Sequence, residues 1–152
     1  MKATIERESP RQPDVLALIE ELDRYQSELY PAESNHLLDV EALCAADTRF
    51  FVARIDGKAA GCGALRVCAG YAELKRMFVS PRARGTKLGA DILVRLEEQA
   101  RHEGRFVVRL ETGIHQPAAL GLYKSHGYRE REPFGDYRPD PLSVFMERQL
   151  PR

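Results

Sequence analysis

The fold is decided at residues 79–89, which read Val-Ser-Pro-Arg-Ala-Arg-Gly-Thr-Lys-Leu-Gly. A strand-like run precedes this stretch, and a long amphipathic helix follows it, over 88 to about 102. The first N–H groups of a helix lack internal partners, and the helix dipole adds partial positive charge there. Glycines permit close backbone approach, and arginine or lysine side chains add cationic donors. The stretch predicts a site for a phosphorylated ligand, or a plain strand–turn–helix joint with a solvated basic loop.

Chain length and charge indicate one globular domain over 1–152 and limit the classes of partner. The 152 residues suffice for one sizeable core. Lys plus Arg and Asp plus Glu each total 23, so the net charge is zero. This balance gives no electrostatic reason to expect nucleic acid or an anionic membrane as partner. No apolar run approaches the ~20 residues of a membrane span, and no signal-peptide core is present, which predicts a cytoplasmic protein.

The cysteines and histidines do not form a metal-binding pattern. Cys44, Cys62 and Cys68 are an odd number without paired spacing, and the four histidines are scattered. Such cysteines are typical of ordinary thiols in a reducing compartment. The sequence therefore predicts neither disulfides nor a metal site.

Hydrophobic periodicity predicts seven strands and four helices in an interleaved order. Strands are predicted over 3–6, 50–55, 60–67, 71–79, 106–111, 128–132 and 143–149, and helices over 14–29, 40–46, 88–102 and 117–125. Asp56-Gly57 is a strong hairpin signal between the second and third strands. The predicted class is α/β (α+β), with sheet and helices interleaved.

Two motifs stand at the expected places in this order of elements. Residues 82–87 read Arg-Ala-Arg-Gly-Thr-Lys, and residues 116–128 read Gln-Pro-Ala-Ala-Leu-Gly-Leu-Tyr-Lys-Ser-His-Gly-Tyr. Over essentially its whole length the chain thus resembles the GNAT superfamily of acetyl-CoA-dependent N-acetyltransferases. The corresponding family motifs are Arg/Gln-x-x-Gly-x-Gly/Ala and Asn-x-x-Ala-x-x-Leu-Tyr-x-x-x-Gly-Phe. Lys87 stands where Gly or Ala is usual, and Gln116 where Asn is usual.

The resemblance implies a single N-acetyltransferase domain with a twisted, mostly antiparallel mixed sheet and splayed central strands. It also implies that acetyl-CoA (coenzyme A) binds along the fourth strand, the Arg/Gly loop and the start of the next helix. The implied cofactor-binding residues are Met77, Phe78, Val79, Arg82, Arg84, Gly85, Thr86, Lys87, Leu88, Gly89, Ala90, Gln116, Ala119 and Tyr123. The family holds the pantetheine on strand backbone, which a bulge or a splay would leave unpaired.

Acetyl transfer from a thioester to an amine requires a base for the amine and a proton for the departing thiolate. In some GNAT enzymes a Glu at the strand position of Glu73 is the base. Period-2 alternation places Glu73 on the same face as Met77 and Val79. Glu111, near the end of the 106–111 strand, is the rival base or a substrate anchor. Tyr123 matches the family Tyr that protonates the thiolate.

Each of these three residues also has a purely structural interpretation. Glu73 can pair with Lys75 on its own strand or with Arg109 on a neighbouring strand. Glu111 can cap the following loop, and Tyr123 can be a core aromatic at helical spacing.

The resemblance implies that the acceptor pocket is built from residues 25–36 and 134–141. The implied substrate-binding residues are Tyr30, Glu111, Thr112 and Tyr137. The favoured function is acetyl transfer to a primary amine of a small molecule, by direct attack in a ternary complex. The alternatives are a non-catalytic acyl-CoA-binding sensor and a protein lysine acetyltransferase. A homodimer is compatible with the resemblance, because many relatives are dimers.

Overall fold

The computed structural model describes residues 3–34 and 39–152, so the last part of the predicted acceptor segment 25–36 lies outside the described residues. Seven strands form one sheet in the order β1-β2-β3-β4-β5-β7-β6. The strands are β1 (Ala3–Arg7), β2 (Thr48–Ile55), β3 (Lys58–Val67), β4 (Ala72–Val79), β5 (Val107–Gly113), β6 (Arg129–Arg131) and β7 (Ser143–Gln149). The helices are α1 (Pro13–Leu29), α2 (Val40–Leu43), α3 (Leu88–His102) and α4 (Pro117–Ser125). None of the described helices is long and apolar enough to cross a membrane.

The sheet opens between β4 and β5. The strands β1 to β4 form an antiparallel meander, and β7 pairs antiparallel with both β5 and β6. The parallel pairing of β4 with β5 joins only residues 72–74 to residues 108–110. Past Leu74 the two strands separate, while β5 stays paired with β7 up to Gly113. The predicted mixed, mostly antiparallel sheet with splayed central strands is therefore confirmed.

A β-bulge interrupts β4 at Arg76. Between two paired positions, β4 contains one more residue than β3, and Arg76 adopts a φ of 57°. Because side chains alternate along a strand, the extra residue reverses the faces beyond it. Met77 and Val79 pack against the core beneath α3, whereas Glu73 contacts Tyr137 on the opposite face. The prediction that Glu73 shares a face with Met77 and Val79 is wrong for this reason.

Each face of the sheet carries a separate hydrophobic core. One core packs α3 and α4 against the sheet, and the other packs α1 and α2 against it. The α3 helix lies very close to β3: a Cβ atom at Gly63 would come within 2.8 Å of Leu96 and 2.9 Å of Ile92. Burying a large aliphatic side chain contributes about 1.5–3 kcal/mol, so this contact fixes α3 firmly. The N-terminus of α3 is thereby held at the end of β4.

Candidate active site

A cavity of about 80 Å³ lies in the opening between β4 and β5. The walls come from β4, the end of β5, the C-terminal part of α1, α4, and the loop before β7. Eight of the predicted site residues line it: Tyr30, Met77, Glu111, Thr112, Gln116, Ala119, Tyr123 and Tyr137. Lys75 also lines it and was not predicted as a site residue. The fold therefore brings predicted catalytic, cofactor and substrate residues around one small space.

Tyr123 is a buried phenol on the cavity wall. The side chain is supplied by α4 and is 5% exposed. Burial first, and the nearby Glu111 carboxylate second, raise the pKa of Tyr123. Its ring packs edge-on against Tyr128, with 5.8 Å between centroids. The arrangement keeps a protonated phenol beside the cavity.

Glu111 is fixed on β5 by the neighbouring strand. The Ser143 hydroxyl, at the start of β7, donates to its Oε2 at 2.8 Å. Glu111 is half-buried and lines the same cavity as Tyr123. A carboxylate so placed can accept a hydrogen bond from an amine or hold an ammonium group.

Glu73 lies behind this cavity. It is 3% exposed and lines an adjacent, open groove of about 800 Å³, formed with the loop before β7. The Tyr137 hydroxyl donates to Glu73 Oε2 at 2.6 Å, and Lys75 Nζ lies 3.3 Å from the same oxygen. The pairing with Lys75 expected from the sequence is present, while Arg109 pairs with Glu147 at 2.6 Å. The sequence signal that could have identified Lys75 is its spacing of two from Glu73, because residues i and i+2 of a strand share a face.

Tyr30 closes the cavity on the α1 side. Its hydroxyl donates to Gln116 Oε1 at 3.3 Å and accepts from the His115 N–H at 3.0 Å. Burial raises the pKa of Tyr30. Gln116 Oε1 also accepts from the Gly113 N–H at 3.3 Å. The longer amide at the unusual motif position thus ties α1 to the turn between β5 and α4.

The Arg/Gly loop exposes the start of α3. Gly85 has a φ of 83°, and Lys87, the residue before the helix, has a φ of 63°. The N–H groups of the first turn of α3, from Leu88 to Ala90, have no intrahelical acceptor, as in any helix. No side chain caps α3 at Lys87 in their place. A left-handed conformation at Lys87 is unfavourable for any residue with a Cβ, so of the two residues that the family motif allows here, glycine would fit this backbone best. The exposed N–H groups suit an anion.

The loop side chains have partners within the protein. Arg82 donates to the Ala59 carbonyl at 3.0 Å, and the Arg84 guanidinium lies 5.7 Å from the centre of the Tyr25 ring. Thr86 Oγ1 donates to the Ala83 carbonyl at 2.6 Å. In this arrangement the loop presents backbone N–H groups more directly than arginine side chains.

The outer half of β4 offers backbone groups to the opening. Phe78 and Val79 pair with β3 on one edge, while the edge facing β5 has no strand partner over 75–79 in the described parts of the chain. The Phe78 and Val79 side chains themselves pack into the two cores. Ser80 Oγ, at the end of this edge, is buried and has no hydrogen-bond partner among the described residues. These features fit an extended, amide-containing ligand such as a pantetheine arm.

The chain matches the model of the Acetyltransferase (GNAT) family over residues 15–128. The chain belongs to the GNAT family. The resemblance predicted from the two motifs and the predicted fold are therefore confirmed, and this GNAT protein is an acyltransferase.

Relatives of this GNAT protein cover nearly its whole length. It is 54% identical over 149 residues to an IAA acetyltransferase of Azospirillum brasilense, covering 97% of each chain. A solved Klebsiella pneumoniae structure, described as an acyl-CoA N-acyltransferase, is 39% identical with a TM-score of 0.82, covering 97% of each chain. The PaiA N-acetyltransferase of Thermoplasma acidophilum, solved with coenzyme A, has a TM-score of 0.77 at 18% identity, covering 98% of this chain and 99% of that one. At that identity the last likeness shows the fold alone.

Proposed function

We propose that this GNAT protein transfers an acetyl group from acetyl-CoA to a primary amine of a small molecule, by direct attack in a ternary complex. The observation that carries the proposal is that Tyr123 and Glu111 line one cavity, beside the unpaired edge of β4. The name of the Azospirillum relative, IAA acetyltransferase, supports a small-molecule acceptor.

The proposed cofactor site runs from the N-terminus of α3 to the cavity. The N–H groups of 88–90 and the Gly85 backbone would hold the pyrophosphate, and the backbone of 77–79 would hold the pantetheine. Arg82, Arg84 and Lys87 remain predicted phosphate contacts. When bound, acetyl-CoA supplies the activated acetyl thioester.

Tyr123 is proposed as the proton donor to the departing sulfur. Because burial raises the pKa of Tyr123, its phenol stays protonated at neutral pH and can donate. Its side chain lines the cavity, where the thioester of bound acetyl-CoA would lie.

Two carboxylates are proposed to act on the acceptor. Glu111 anchors the amine, because it lines the cavity and the Ser143 hydroxyl fixes it in place. Glu73 is the base, although it lies behind Tyr137. The placement of Tyr30, Thr112 and Tyr137 around the same cavity supports their proposed contacts with the acceptor.

Calorimetry with acetyl-CoA tests the cofactor site. We expect micromolar binding by the wild type and at least a roughly tenfold loss in Gly85→Asp, because the carboxylate would repel phosphate at the start of α3. Gly70→Asp is the matched control. Gly70 and Gly85 have φ values of 82° and 83°, and a Cβ at either meets no atom within 4 Å. Equal losses in the two variants, or no binding by folded wild type, would contradict the proposal.

Release of CoA with a panel of small amines and IAA tests the reaction. We expect Tyr123→Phe to lower kcat about 100-fold while acetyl-CoA affinity is retained, because the ring stays and only the proton donor is lost. Binding of acetyl-CoA without CoA release from any acceptor would favour the acyl-CoA-binding sensor. Release only with lysine-containing peptides would favour the protein acetyltransferase.

A further inference from the structure

We propose that Tyr137 is a catalytic residue that takes the proton from the acceptor amine and passes its own proton to Glu73. The inference rests on the proposed function and adds a group that carries the proton between the cavity and the base. The atom that would accept the proton is the hydroxyl oxygen of Tyr137, which lies between Lys75 and Glu73.

Tyr137 separates the two spaces that the reaction must connect. Tyr137 and Lys75 line both the central cavity and the outer groove. Glu73 lines the groove but not the cavity, where Tyr123 and Glu111 lie. A base at Glu73 therefore reaches an amine in the cavity through a side chain that borders both spaces.

The hydrogen bonds are already arranged for proton transfer. Lys75 Nζ donates to the Tyr137 oxygen at 2.6 Å, and the Tyr137 hydroxyl donates to Glu73 Oε2 at 2.6 Å. Both distances are at the short end of the hydrogen-bond range, and Glu73 is 3% exposed. A proton can pass along this chain without movement of either side chain.

Aromatic packing holds Tyr137 in this position. Its ring meets Phe134 edge-on with 5.2 Å between centroids, and Phe145 with 5.3 Å. Lys75 Nζ lies 5.1 Å from the centre of the Tyr137 ring. The two aromatic contacts depend on the ring and not on the hydroxyl, so Tyr137→Phe is expected to preserve them while it removes the hydrogen bond from Lys75.

The proposed step is balanced as follows. The amine nitrogen uses its lone pair to bond to the acetyl carbon, and the carbon–sulfur bond breaks with its electron pair going to sulfur. The proton on nitrogen passes to the Tyr137 oxygen as the Tyr137 proton passes to Glu73. The sulfur takes a proton from Tyr123. Glu73 and Tyr123 then return to their starting states by proton exchange with solvent.

Several charged or titratable groups surround Glu73 and Tyr137. They are Lys75 on β4, Arg66 on β3, Arg109 and Glu111 on β5, and Cys68 and Tyr71 in the turn before β4. Arg66 pairs with Asp47 at 3.1 Å, and Arg109 pairs with Glu147 at 2.6 Å. Lys75 donates a hydrogen bond to each of the two members of the relay, Glu73 and Tyr137.

Steady-state kinetics of four variants tests the relay. We expect Tyr137→Phe and Glu73→Gln each to lower kcat about 100-fold with little change in KM, because a general base contributes at least that much. The double variant is expected to lose no more than either single variant, since the two groups act as one unit. The acid limb of the pH profile of kcat/KM is expected to disappear in each of the two single variants.

Tyr71→Phe, whose ring also packs edge-on against Phe134, is the matched control and is expected to keep wild-type kinetics.

Unfolding of the ligand-free protein gives a second readout. Urea denaturation of the same single and double variants is expected to show coupling between Glu73 and Tyr137, because they share a hydrogen bond. Independent effects of the two substitutions on stability would overturn the contact that the relay requires.

The outcomes separate the relay from the proposed function. An active wild type with unchanged turnover in Tyr137→Phe overturns the relay alone. Multiplied losses in the double variant, or an acid limb that is kept in Glu73→Gln, also overturn it. A wild type that binds acetyl-CoA but releases no CoA contradicts the proposed function and the relay together.

Discussion

At the scale of single residues, the contact between Tyr30 and Gly113 decides how the cavity closes. A Cβ at Gly113 would lie 1.7 Å from the Tyr30 hydroxyl oxygen and 2.0 Å from the ring carbon that carries it. The ring of Tyr30 also stacks on His115, with 5.4 Å between centroids. Only glycine therefore allows Tyr30 to reach Gln116 and the turn after β5.

We predict that Gly113→Ala destabilises the protein by about 1–3 kcal/mol, the usual cost of adding a methyl group to a packed site. It is also expected to raise the KM of the acceptor, because Tyr30 must leave the cavity wall. The measurements are urea unfolding and steady-state kinetics.

Gly121→Ala is the matched control for that substitution. Gly121 lies in α4, and a Cβ there meets no atom within 4 Å. Replacing a helical glycine by alanine is expected to stabilise by about 0.5–1 kcal/mol. Similar effects of the two substitutions would show that the Tyr30 contact does not constrain position 113.

At the scale of elements, α3 is joined to the far end of the sheet by a buried polar cluster. Glu97 is 3% exposed and accepts from the Tyr128 hydroxyl at 2.8 Å and from Arg148 at 2.9 Å. Tyr128 packs edge-on against Tyr123, so the cluster also supports the proposed proton donor. The cluster links α3, the segment before β6, and β7.

We predict that Glu97→Gln destabilises the protein by about 1–3 kcal/mol, because Arg148 and Tyr128 would lose a charged acceptor in a buried place. Glu98→Gln, at the exposed neighbouring position of the same helix, is expected to change stability by less than about 0.5 kcal/mol. Urea unfolding of the two variants measures the difference. Equal, small effects would mean that the cluster contributes little to stability.

The elements could be predicted from the sequence because their signals are local. The turn at Asp56-Gly57, the apolar face of α3 and the proline at the start of α4 are each contained within one segment. The bulge at Arg76 could not be predicted, because it depends on how β4 pairs with β3. One extra residue was enough to move Glu73 to the other face, behind Tyr137.

The contacts around the candidate site could be predicted only in part, for a related reason. The family motifs pointed to Gln116 and Tyr123, and the structure places both on the cavity wall. The contacts between Tyr30 and Gln116 and between Lys75 and Tyr137 join residues 86 and 62 positions apart. No spacing rule relates such residues, so these contacts required the structure.

At the scale of the whole molecule, three carboxylates connect distant segments of the chain by forming ion pairs with arginines. Hydrogen bonds from Arg54 lower the pKa of Glu8, and hydrogen bonds from Arg49 lower the pKa of Glu103. Burial acts to raise the pKa of Glu147, but hydrogen bonds from two arginines on β5 and β6 bring its pKa below the ordinary value. Together these pairs connect the end of β1 to β2, the end of α3 to β2, and β7 to both neighbours.

These shifts predict that the protein loses stability in acid. Each folded-state pKa lies below the unfolded value of 4.5, so the stabilisation is complete above that pH and is lost as the pH falls through the folded values. Urea unfolding is expected to give a constant free energy between about pH 7 and 5.5, and a falling one from about pH 4.5 to 3. Arg49→Met, which removes the partner of Glu103, is expected to lower stability near neutral pH and to weaken the dependence below pH 4.5. A wild-type free energy that stays constant into that acid range would contradict a stabilising role for these pairs, because protonation would then remove nothing that the folded state uses.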